Sequence, residues 1–142
     1  SWALVSAAQD RFPYADMSYP APYVLSQLTG SYQSTPDFLD SQHTVKTAAD
    51  AEAYLARLRA FARNMTEETA RFRADAAAGI VPPDFVLERA LTQMRAVRAA
   101  PASRSTLVQS LVRKTREAGV AGDWARSATR IYEGEIASAL DA

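Results

Sequence analysis

From residue 47 onward the apolar positions recur every three or four residues, the period of a helix with one buried face. Tyr54, Leu58, Phe61 and Met65 stack in such a stripe, and Leu55 and Ala62 widen it. Thr47-Ala-Ala-Asp50 is an N-terminal capping signature, so the spacing predicts a helix over residues 48–63. Asn64 is expected to interrupt it and Thr66 to cap a second helix over 66–78, with Glu67, Arg71 and Asp75 paired along its exposed row and Gly79 at its end. Val81-Pro-Pro-Asp84 reads as a stop followed by a start, because proline is tolerated where no intrahelical N–H bond is lost. Phe85, Leu87, Ala90, Leu91, Met94 and Val97 then form the inward face of a helix ended by Pro101. Ser103 or Ser105 opens the next helix, which carries Leu107, Val108, Leu111 and Val112 and stops at Gly119. Gly122-Asp123 opens the last, with Trp124, Ala128, Ile131, Tyr132, Ile136 and Leu140 inward.

Residues 1–47 have a different texture. Pro13, Pro20, Pro22 and Pro36 lie among Tyr14, Tyr19, Tyr23 and Tyr32, which reads as an irregular or short-helical segment covering a scaffold. The expected fold is therefore all-α, about five main helices in consecutive antiparallel pairs, because the connections near 64, 80, 102 and 120 are short. The covering segment spans 1–47 and the helical bundle 48–142. No strand run, hairpin turn or internal repeat is visible.

Composition narrows the chemistry. Sixteen basic side chains balance sixteen acidic ones, so the broad positive field of a nucleic-acid or anionic-membrane binder is missing. With no cysteine, the chain has neither a disulfide framework, a zinc ribbon nor a thiol nucleophile. No stretch approaches the roughly 20 apolar residues of a membrane helix, and the N-terminus lacks the pattern of a signal peptide. The start at Ser1 and the end at Ala142 lead us to expect a portion of a longer protein. The compartment is left open.

The five glycines are scattered, so no phosphate-cradling loop is present. The single imidazole, His43, cannot supply the paired histidines of a metallopeptidase helix and has no nucleophile elbow beside it. Asp37, Asp40 and His43 would share a face of a helix and resemble a carboxylate and imidazole metal set, but the ligand count favours aspartates in a first helical turn and His43 in a loop. Glu133 and Glu135 point to different helical faces, which suits a solvated pair or an arginine partner better than acid–base work. The arginines at 57, 59, 63, 71 and 73 are interleaved with acids and read as a salt-bridged surface. No catalytic, cofactor or metal residue is therefore assigned. Tyr23, Gln27, Tyr32, Gln33 and His43 combine aromatic area with neutral hydrogen-bonding groups, the chemistry for holding an extended peptide, so they are the candidate substrate-cleft residues. Packing of the same segment over the helices explains them equally well.

The order Leu25-Ser-Gln-Leu-Thr-Gly30, Thr35-Pro-Asp-Phe-Leu39, His43, Asp50-Ala-Glu-Ala-Tyr-Leu-Ala-Arg-Leu58 and Gly79-Ile-Val-Pro-Pro83 resembles the bacterial family called domain of unknown function 885 across nearly the whole chain. Full-length members are several times longer, mostly helical and similar to zinc metallopeptidases, with a His-Glu metal motif far toward the C-terminus. Nothing in this chain matches that motif. The resemblance implies a non-catalytic N-terminal helical portion of such a protein, acting as scaffold, cleft wall or lid. Its partners would be the remainder of the parent chain and a peptide substrate, not nucleic acid or membrane, and any zinc would sit in the parent. The alternative is a helical protein-interaction or ligand-binding module with no enzymatic activity.

Overall fold

In a computed structural model, which describes residues 23–26 and 28–142, the elements in order are α1 (Ser31–Ser41), α2 (Ala48–Ala77), α3 (Asp84–Ala99), α4 (Thr106–Glu117), α5 (Trp124–Ile131) and α6 (Ala137–Asp141). A 3-10 turn at Ala102–Arg104 precedes α4, and a π turn at Tyr132–Ile136 joins α5 to α6 as one rod. There are thus five main helices and no strand among the described residues, the all-α architecture that the periodicity predicts.

The capping signature of α2 is realised on both sides: Asp50 N–H donates to Thr47 Oγ1, and Thr47 N–H donates to Asp50 Oδ2 at 2.8 Å. The expected break at Asn64 does not occur. α2 runs unbroken for 30 residues, because Asn64 is exposed and carries neither a proline ring nor a glycine's freedom to end a helix. Thr66 does not cap; its hydroxyl donates back to the Ala62 carbonyl at 3.0 Å, the alternative such side chains have inside a helix. Gly79, at φ 82, then ends α2, with Ile80 N–H donating to the Asp75 carbonyl and Gly79 N–H to that of Ala76.

Within the N-terminal segment, α1 starts at Ser31, so Asp37 and Asp40 lie past the first turn expected to hold them, and Pro36 lies inside the helix. A mid-helix proline costs a hydrogen bond, so α1 depends on help from elsewhere in the chain. Its cap residue, Gly30, has φ 122, and a Cβ there would lie 2.9 Å from both Leu25 and Tyr32. Glu68 of α2 supplies the missing cap by accepting from Ser31 N–H at 2.9 Å and Ser31 Oγ at 2.8 Å. At the other end Lys114 of α4 donates to the carbonyls of Leu39, at 2.6 Å, and His43, at 2.7 Å.

The core gathers around the first half of α2. Tyr54, Leu58 and Phe61 have no exposed surface, nor do Leu39 of α1, Leu111 of α4, Ala128 of α5 and Ile136 of the π turn. Each large apolar side chain so buried contributes about 1.5–3 kcal/mol. The buried phenols keep their polar tips bonded: Tyr54 donates to the Leu107 carbonyl at 2.8 Å and Tyr132 to that of Val97 at 2.9 Å. Burial pushes the Tyr54 phenol up to about 12, so it stays a donor. α3 is the loosest element. It rests mainly on α6 and buries only Val86 and Ala90. Phe85 and Leu91, expected inward, are 59% and 46% exposed: Leu91 faces an open groove, and Phe85 lies on another side of the helix.

Candidate functional site

An apolar groove of about 280 Å³ opens beside the second half of α2, which buries no side chain beyond Met65. Met65 and Phe72 of α2 line it with Leu87, Leu91 and Met94 of α3 and Leu140 of α6. Its origin is the turn between the two helices. Gly79 reverses the chain, and Pro82 and Pro83 fix the start of α3, which then leans on α6 and leaves the facing side of α2 uncovered. Glu68 is the acidic side chain at this groove, and both its oxygens are taken by Ser31. The wall therefore offers area for apolar side chains and no available acid or base. Its volume, just below the usual range of small-molecule pockets, suits one or two such side chains.

The sequence candidates are spread over several places. Tyr23 is half-buried, and its carbonyl accepts from Thr29 Oγ1 at 3.3 Å. Gln27 lies outside the described residues. Tyr32 is buried at the groove's edge, its hydroxyl within reach of the Ser26 carbonyl at 2.7 Å and the Gln93 amide at 2.8 Å; burial, and then Glu68, raise its pKa. Gln33 is exposed and shares with Tyr32, Asp37 and Asp40 a depression between α1 and α3. His43 is buried beyond the far end of α1 and lines a different depression with Lys46 and Lys114. The structure thus brings Tyr32 and Gln33 together and leaves His43 two residues beyond the end of α1, away from them.

The two alternative clusters are also engaged. Asp40 accepts from Arg113 at 2.7 Å, and both ring nitrogens of His43 are bonded, Nε2 to the Asp50 carbonyl and Nδ1 to Arg57. No group of three His, Cys, Asp or Glu side chains that could hold a metal occurs among the described residues. Glu135 faces Arg59 at 3.8 Å, while Glu133 lines a surface depression with Arg126 and Arg130. Arg71 pairs with Asp75 at 3.3 Å, and Arg73 donates to the Ala142 carbonyl.

Sequence reasoning missed the groove. The available signal was a surplus: α3 carries more large apolar side chains than one neighbour can cover. No helix among the described residues is long and apolar enough to cross a membrane. Over residues 2–142 the chain matches the family model described as "Bacterial protein of unknown function (DUF885)". No curated protein and no solved structure matches it.

Proposed function

The chain belongs to that bacterial family of unknown function, and from this premise we propose that it is a non-catalytic helical wall whose groove seats apolar side chains of a peptide segment in a larger metallopeptidase-like protein. The observation that carries this reading is the groove itself. It is lined by Met65, Phe72, Leu87, Leu91 and Met94, and its carboxylate is committed to capping α1. Such a surface binds by excluding water from apolar area and orients nothing by charge. Zinc, in this reading, is held by residues outside these 142, where it would polarise a peptide carbonyl. The part of this chain is to hold the peptide beside it.

The test uses the intact natural protein. We expect hydrolysis of a peptide library that is lost on chelation and restored by zinc, and we expect Leu91→Glu to raise KM for apolar peptides with little change in kcat. Leu91 is exposed, so this change leaves the fold in place. A turnover that ignores Leu91→Glu removes the groove from the reading. If no peptide is hydrolysed, the second reading stands: a helical interaction module, favoured by the exposed Phe85 on the outer side of α3.

A further inference from the structure

The turn between α1 and α2 is held by the only imidazole of the chain. His43 is 6% exposed and packs edge-on against the Tyr54 ring, with centroids 5.1 Å apart. Its Nε2 lies 3.0 Å from the Asp50 carbonyl, which can only accept, so Nε2 carries the proton. Its Nδ1 meets the Arg57 guanidinium, which can only donate. These two partners together define one state of the ring, the neutral Nε2–H tautomer. Arg57 is itself steadied by the Phe38 ring, 5.3 Å from the guanidinium carbon.

We propose that His43 is an acid-sensitive latch. Neutral, it ties the turn after α1 to α2; a proton on Nδ1 sets N–H against N–H at Arg57 and releases residues 43–46 from α2. The surrounding charges do not rescue the imidazolium. On α1, Asp40 is committed to Arg113; in the turn stands Lys46; on α2, the Asp50 carboxylate accepts from the Lys46 and Thr47 N–H groups. On α4, Lys114 is anchored on the His43 carbonyl, Arg113 faces Asp40, and Glu117 lines the neighbouring depression. The group in direct contact with Nδ1 is a cation. Burial holds the imidazole below its ordinary value; the hydrogen bond to the Asp50 carbonyl opposes this, Arg57 and Lys114 reinforce it, and the Asp50 carboxylate opposes it most weakly.

The sign follows from linkage. The open or unfolded turn takes up a proton below about pH 6.5, while the closed turn resists it, so latch stability is constant above that pH and falls as pH drops toward the lowered value. The window between about pH 5 and 6.5 is that of an imidazole, and His43 is the one imidazole of the sequence. The latch does not depend on the groove reading.

Two measurements on the full chain test it. In amide hydrogen exchange corrected for intrinsic rates, opening of residues 43–46 should rise by up to about tenfold between pH 7.5 and 5.5, with α4 and α5 unchanged. His43→Gln, which keeps a donor and cannot titrate, should remove that rise; a rise that persists in the variant overturns the proposal. Should His43→Gln not fold, ring nitrogen shifts of the wild-type chain decide. An Nε2–H tautomer titrating below pH 6.5 supports the latch, and an Nδ1–H tautomer or a midpoint at or above 6.5 overturns it.

Discussion

The two halves of α2 share one helix and live in different surroundings. The helix is packed by α1, α4, α5, the π turn and α6, and all its buried side chains lie between Ala51 and Met65; from Thr66 to Ala77 it has none and borders an open groove. Helical periodicity is present in both halves, so periodicity alone says where a helix is and not what covers it. The first half makes the fold. The second carries apolar area, Phe72 above all, that lines the groove.

Leu58→Ala, in the packed half, should break the contrast most severely. It leaves a cavity in a fully enclosed site and should cost about 2–5 kcal/mol in urea denaturation. Glu68→Ala probes the boundary between the halves. It strips Ser31 of the acceptor for both N–H and hydroxyl, and should destabilise the protein by about 1–2 kcal/mol, with faster amide exchange confined to the first turn of α1.

Thr47→Ala removes one arm of the capping box at the packed end, for about 1 kcal/mol by the same denaturation. The box also titrates. Hydrogen bonds from the Lys46 N–H, then from the Thr47 hydroxyl and N–H, hold the Asp50 carboxyl below the usual carboxylate range. Its contribution is therefore complete above about pH 4 and is lost as pH falls through that lowered value, a loss that Asp50→Asn should abolish in melting curves. Leu91→Ser, on the open side, should shift stability by no more than about 0.5 kcal/mol. A loss as large as that of Leu58→Ala would mean the groove is part of the core, and the distinction between the halves would go.

Much of this architecture is written locally. The Tyr54, Leu58, Phe61 and Met65 stripe, the Thr47 box, Gly79 as the end of α2 and Asp123 at the head of α5 all rest on residues within a few positions of one another. What could not be read comes from further away. Asn64 and Thr66 are compatible with a boundary or with a continuous helix, and the packing of Phe61, Ala62 and Met65 decides. The start of α1 depends on Glu68, 37 residues from Ser31, and its last turn on Lys114, 75 residues from Leu39. The role of His43 follows from Asp50 and Arg57, which no motif links to it. The groove needs the divergence of α2 from α3, a fact about three prolines and glycines in a turn only once the neighbours of α3 are known.

The 30 residues of α2 form a rod of about 45 Å, of which the last 12 extend about 18 Å beyond the packed half. That stretch is held more lightly than the packed half, by Glu68 on Ser31 and by Arg73 on the Ala142 carbonyl. By the same rise per residue, a tilt of about 10° at Met65 would carry Ala77 sideways by about 3 Å, comparable with half the width of a side chain. Such a tilt would alter the spacing between Phe72 and Leu91, and a segment wedged between them would bear on α1 through Glu68.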